Sequence, residues 1–142
     1  MSSAILVCTH GYTSEHMIKT AEMIVGKQGN IGFVTFIPGE GTEDLEKNYR
    51  NELNKLERSQ GVLVMVDMFG GSPFNAIATL AYLDENMEVI TGVNVPMLVE
   101  TFILRESLDL QGLLERAKTA GIDGITTLEK NLINEVEMED EL

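Results

Sequence analysis

The sequence predicts an α/β fold: a mostly parallel central sheet in the strand order 2-1-3-4, covered by helices on both faces. Three observations predict it. Short apolar runs recur along the 142-residue chain, and runs of that length bounded by turn residues read as strands buried on both faces. A stretch with apolar residues at helical spacing follows each run, and strands alternating with helices imply right-handed crossovers and parallel pairing. Glycine, proline and short hydroxyl residues punctuate the junctions.

The elements follow in order. Ala4 to Thr9 is the first strand and delivers His10 at a glycine. Thr13-Ser14-Glu15 reads as a helix cap with an acid in the first turn, followed by Met17, Ile18, Ala21, Ile24 and Val25 on one stripe, with Gly26 as the stop. Ile31 to Phe36 is a β-branched and aromatic second strand, ended by Pro38-Gly39. Thr42 is the expected cap of a second helix whose stripe is Leu45, Tyr49, Leu53 and Leu56. Val62 to Val66 is a third apolar strand, and it delivers Asp67. Ser72-Pro73 places a cap residue before a proline suited to a first turn. Met87 to Thr91 is a fourth strand, Pro96 opens an apolar helix, and Leu110 to Ala120 is a further amphipathic helix. Ile122 to Leu128 reads as a weaker, glycine-flanked fifth strand at an edge.

Composition narrows the class. With 44% hydrophobic and 23% charged residues the chain suits one globular domain, expected over residues 1–128, and residues 129–142 form an acidic tail or linker. The net charge of −13 argues against nucleic acid, whose phosphates need clustered lysine and arginine. No apolar stretch reaches bilayer-spanning length and no leader pattern opens the chain, so a cytoplasmic protein is expected. The single cysteine, Cys8, excludes an internal disulfide and reads as a buried small hydrophobe.

The chemistry lies where two strands end. In the flavodoxin-like order 2-1-3-4, the first and third strands are neighbours at the topological switch point, where such sheets bind ligands. His10 and Asp67 end those strands. A carboxylate there can hold one imidazole nitrogen and leave the lone pair of the other facing outward. Gly70-Gly71-Ser72-Pro73 lets backbone approach a ligand, adds the Ser72 hydroxyl, and presents helix amides to a small anion. Imidazole beside an anion cradle points to phosphoryl transfer through phosphohistidine. Each piece also has a structural reading: His10 and Asp67 as caps of backbone groups, the glycine pair as a tight turn, Ser72 as a helix cap. Phe69, Phe74, Met68 and Met23 are candidates for an apolar rim around the histidine.

Other chemistries fit less well. Gly-Gly-Ser-Pro lacks the Gly-Lys-Ser/Thr of a nucleotide loop, and Gly39-Glu40-Gly41 is no dinucleotide fingerprint. Cys8, His10 and His16 have no zinc spacing, so no metal or cofactor is expected, and His16 beside Glu15 is placed in solvent. A Ser72–His10–Asp67 hydrolase lacks the nucleophile elbow. A flavin binder lacks an aromatic stacking pair.

Four blocks, Val7-Cys8-Thr9-His10-Gly11, Pro38-Gly39-Glu40, Val66 to Ala76 and Gly92 to Thr101, resemble the enzyme IIA domain of the mannose/sorbose family of the bacterial phosphoenolpyruvate-dependent sugar phosphotransferase system. The resemblance runs from Ala4 to Leu128. It implies that His10 accepts a phosphoryl group on Nε2 from phospho-HPr and passes it to an enzyme IIB component, while Asp67 orients Nδ1–H. It implies that Gly70, Gly71 and Ser72, with Thr9 adding a hydroxyl, receive the phosphoryl oxygens. It also implies a homodimer in which an antiparallel fifth strand, here Ile122 to Leu128, is exchanged between subunits, and work alongside a membrane permease. Family members are often joined to a IIB domain, whereas this sequence stops at Leu142. The alternative is a phosphorylatable regulatory module reporting sugar flux to another protein, such as a dihydroxyacetone-kinase subunit or a transcription regulator.

Overall fold

The structure is a computed structural model and describes residues 2–130. Strands β1 (Ala4–His10), β2 (Ile31–Phe36), β3 (Val62–Val66) and β4 (Met87–Ile90) form one sheet in the order β2-β1-β3-β4, with every pairing parallel. Helices α1 (Thr13–Val25), α2 (Thr42–Lys55), α3 (Gly71–Tyr82), α4 (Val95–Leu104) and α5 (Leu110–Asp123) connect and flank it. The sheet order is the one the alternation of elements predicts.

Two cores follow from the period-two alternation of the central strands. Ala4, Leu6, Cys8, Val62, Val64 and Val66 face α2 and α3, where Leu45, Tyr49, Leu53, Ala76 and Ile77 close over them. Ile5, Val7, Leu63 and Met65 face the other way, onto Ile18 and Ala21 of α1, Leu98 and Phe102 of α4, and Leu113 and Ala117 of α5. β1 and β3 are therefore buried on both faces, which is why they contain no polar residue until their carboxyl ends.

The starts of three helices differ from expectation. Thr13, Thr42 and Ser72 are not N-caps; they lie in first turns whose caps are Tyr12, Gly41 and Gly70. Asp44 accepts from the Gly41 amide at 2.9 Å, and the Thr9 hydroxyl oxygen accepts from the Ser14 amide of α1 at 2.8 Å. Ile24, placed on the buried stripe of α1, is exposed.

The segment Gly121 to Leu128 is a second difference. Leu113, Ala117 and Gly121 are buried at four-residue spacing, so α5 carries on to Asp123, and no fifth strand forms among the described residues. Gly121 reads as a strand boundary in sequence, but it is a packing residue: a Cβ there would stand 2.9 Å from Met97 of α4. Of the acidic segment 129–142, everything from residue 131 lies outside the described residues.

Candidate active site at the carboxyl edge of the sheet

β1 and β3 end side by side, and that brings together two residues 57 apart in sequence. His10 Nδ1 is 2.9 Å from Asp67 Oδ2, and the same oxygen accepts from the His10 backbone amide at 3.0 Å. The carboxylate therefore grips ring and backbone together, which fixes the imidazole plane. With Nδ1–H donating to Asp67, the lone pair sits on Nε2. Phe36, at the end of β2, meets the imidazole edge to face at 5.9 Å and 73°, a packing favoured for aromatic rings. His10 keeps 46% of its side chain exposed and Asp67 30%, so the ring stands on the lip of the sheet, open to a visitor.

The third piece is the start of α3. Gly70 has φ 77° and ψ −178°, and Gly71 φ 79°; the first of these lies in a region that only glycine occupies without strain. That path presses Gly71 against the histidine: a Cβ on it would lie 3.4 Å from His10 Cε1 and 3.6 Å from Nε2. No side chain caps α3. The amides of Gly71 and Ser72 at its first two positions thus have no partner in the helical ladder, and they carry the positive end of the helix dipole. The Ser72 hydroxyl caps none of the first amides of α3.

Thr9 is the site residue that the geometry does not bring to the cleft. It is 1% exposed, and its hydroxyl donates to the His10 carbonyl while accepting from Ser14. Its work is to join β1 to α1. Met68 and Phe69, which follow Asp67 in the chain, are exposed, and Phe74 meets Phe69 at 4.7 Å with the rings tilted by 44°. Met23 is not part of the rim. It lies ten residues into α1, about 15 Å down the axis from the end nearest His10. His16 is exposed, as expected. Among the described residues no cluster of three or more His, Cys, Asp or Glu forms a metal-binding group.

In sequence alone, Glu40 has no role beyond its place in a resembling block, and Tyr49 none beyond the stripe of α2. Glu40 accepts from the Ile37 amide at 2.9 Å and from Asn48 at 3.2 Å, latching the loop that follows Phe36. Tyr49 is completely buried, and its hydroxyl donates to the Pro73 carbonyl in the first turn of α3 at 2.7 Å. A tyrosine on a core-facing stripe was the available signal, since its hydroxyl needs a partner. Burial pushes the Tyr49 phenol up and the neighbouring Cys8 thiol up to about 12, so both stay protonated near neutrality.

Known proteins resemble this chain in sequence and in fold. The family described as "PTS system fructose IIA component" matches residues 4–118. The chain is 44% identical over 129 residues to the mannose-specific EIIAB component of the phosphotransferase system of Escherichia coli K12, covering 90% of this chain and 40% of that protein. It therefore spans well under half of that relative's length. It is 36% identical over 115 residues to the fructose-specific EIIA component of Bacillus subtilis, covering 81% of this chain and 79% of that one. Among solved structures, the IIA protein associated with the fucose utilization operon of Streptococcus pneumoniae superposes with a TM-score of 0.78 at 30% identity, over 93% of this chain and 99% of that one. With a family match across most of its length and the four-stranded parallel sheet in place, the chain belongs to the EIIA components of the mannose, sorbose and fructose family of the sugar phosphotransferase system.

Proposed function

We propose that this chain carries a phosphoryl group on His10 Nε2, taking it from phospho-HPr and handing it to an enzyme IIB component during coupled sugar uptake and phosphorylation. The observation that carries the reading is the pairing of His10 Nδ1 with Asp67 at 2.9 Å while Nε2 faces the uncapped start of α3. In the forward step the Nε2 lone pair forms the new N–P bond as the N–P bond to the donor's histidine breaks. Asp67 keeps the Nδ1 proton and stabilises the positive charge that the ring acquires. The Gly71 and Ser72 amides, with the Ser72 hydroxyl, receive the phosphoryl oxygens. The positive end of the α3 dipole and these amides stabilise the dianion there. Thr9 is assigned a structural part only.

Both partners are proteins, which agrees with a reacting nitrogen on an exposed lip flanked by Tyr12, Met68 and Phe69. No described helix is long and apolar enough to cross a membrane. Membership of the family is what supports a place on the cytoplasmic side of a separate permease.

A second copy completes the sheet. Among the described residues β4 pairs with β3 alone, its residues from Glu88 to Ile90 are partly exposed, and a groove of about 660 Å³ runs along it past Phe74, Val89 and Ile122. Ile122, Ile125 and Leu128 are exposed, and an open strand edge beside apolar residues favours addition of a strand. The fifth strand would then be supplied by the partner copy, by exchange of the 122–128 segment. Light scattering should return twice 15.7 kDa; a monomer at micromolar concentration would remove the exchange.

The direct test is incubation with phosphoenolpyruvate and the general phosphocarrier proteins, read by intact mass. One acid-labile phosphate is expected on the native chain and none on His10→Ala. No phosphate on the native chain, or its survival in the variant, refutes the relay.

A further inference from the structure

We propose that Tyr49 is a positioning residue for this transfer: its hydroxyl, lying between β1 and the first turn of α3, sets the gap between His10 Nε2 and the amides of Gly71 and Ser72. The inference rests on the relay reading and deepens it. Tyr49 belongs to α2, which contributes no residue to the cleft, and it is fully buried. Its hydroxyl donates to the Pro73 carbonyl at 2.7 Å, across the packing of α2 on α3. On its other side it lies against the thiol of Cys8, two residues before His10 on the same strand. One side chain therefore touches both halves of the site, the strand that carries the nucleophile and the helix that carries the cradle.

The start of α3 needs such a tie. Gly70 and Gly71 give the loop its freedom, no side chain caps the helix, and Pro73 has no amide to add to the first turn. Nothing within α3 itself holds those amides at a fixed distance from the histidine. Transfer depends on such positioning, because a preorganised donor stabilises developing charge only where it is aimed.

The test uses the full chain with the phenylalanine variant. As a residue of the helical ladder, the Pro73 carbonyl keeps the Ile77 amide as its partner, so Tyr49→Phe strands no buried acceptor and should fold. In rapid-quench transfer from phosphorylated HPr, the rate at saturating donor is expected to fall about tenfold with the half-saturating concentration unchanged, the pattern of a lost transition-state interaction. The Gly71 and Ser72 amide resonances should move on phosphorylation of the native chain and move less in the variant. Leu53→Ala, on the same stripe of α2, is expected to lower the melting temperature and leave the saturating rate intact. Unchanged rate and amide shifts in Tyr49→Phe, or an equal rate loss in folded Leu53→Ala, would overturn the proposal. Should Tyr49→Phe not fold, 3-fluorotyrosine placed at position 49 keeps the packing and alters the hydroxyl. A changed saturating rate then supports the proposal, and an unchanged one overturns it. A native chain that takes no phosphate strikes the relay itself, whereas a phosphorylated native chain with an unaffected variant strikes only Tyr49.

Discussion

The two edges of the sheet treat polar groups in opposite ways. At the amino edge, Arg105 is 3% exposed and donates to three carbonyls, those of Gly29 and Ser3 at 2.7 Å and of Asn30 at 3.0 Å. Ser3 donates to the Gln60 carbonyl, and the Asn30 side chain bonds both the amide and the carbonyl of Glu57. These bonds join segments far apart in sequence, those of Arg105 from a buried side chain and those of Asn30 at the surface. At the carboxyl edge, His10 stays open and α3 has no side-chain cap; a buried side-chain atom without a hydrogen bond among the described residues occurs at both edges, Asp67 Oδ1 here and Arg105 Nε there. One edge satisfies its backbone with its own side chains, and the other leaves donors for something that arrives. A parallel sheet has two such ends, and here stability and chemistry are divided between them.

The division predicts that the edges fail differently. The largest effect on folding is expected at Arg105→Met, which leaves three carbonyls without their charged donor. Burial already holds that guanidinium below its usual range, with Glu106 opposing, so the carbonyls carry its compensation. A loss of about 3 kcal/mol follows from charge-assisted bonds of this kind, or roughly 6–12 °C in Tm for a domain of this size. Phosphate uptake below the transition should match the native chain. A folded Arg105→Met protein that transfers poorly would show that the edges are coupled. The next largest effect has the reverse pattern. Asp67→Ala removes the group that orients the ring and holds its Nδ1 proton, so the transfer rate is expected to fall at least about tenfold. Water can reach the freed His10 amide at this half-exposed site, so thermal melting should shift by little. Calorimetry beside the transfer assay checks both variants, and an unchanged transfer rate would take Asp67 out of the mechanism.

The sequence carried the site's long-range part more clearly than its local part. His10 and Asp67 could be paired before any coordinates because two fully apolar runs demand central strands, and adjacent central strands bring their ends together. The helix starts were less legible. Serine or threonine before an apolar stripe looks the same as an N-cap or as a first-turn residue, and the difference at Ser72 is the path taken by Gly70 and Gly71. Gly121 reads as a strand boundary and Gly124 as a strand residue, whereas they let α5 approach Met97 and Pro96 of α4, a contact that no local pattern encodes. Thr9 carried a hydroxyl at the right place in sequence, but strand alternation with the cap of α1 decided where it points. Tyr49 was visible only as an apolar stripe position, because a partner's carbonyl 24 residues away leaves no trace in spacing.

The smallest effect tests the protected side of the site, where Cys8 sits two residues from an exposed histidine and yet is sealed. Its thiol is raised from 9.0 to about 12, with burial the leading cause and the charges of Asp67 and Glu40 adding to it, against the side-chain hydrogen bond it shares with Tyr49, which lowers it. The sign follows from linkage. Between about pH 9 and pH 12 the unfolded chain releases the thiol proton while the folded chain keeps it, so the unfolded state gains and stability falls as pH rises; the contribution is intact below pH 9. Other groups titrate in the same window, so the useful quantity is the difference between the native chain and Cys8→Ala. Native stability should fall more steeply with pH than that of the variant, by at most about 1.4 kcal/mol per pH unit and by less near pH 9. Denaturant titrations at pH 8, 9.5 and 10.5 measure it. Parallel slopes would mean that the thiol ionises as readily in the folded chain as in the unfolded one. The wall between the reactive lip and the core would then be more permeable than the burial of Cys8 and Tyr49 implies.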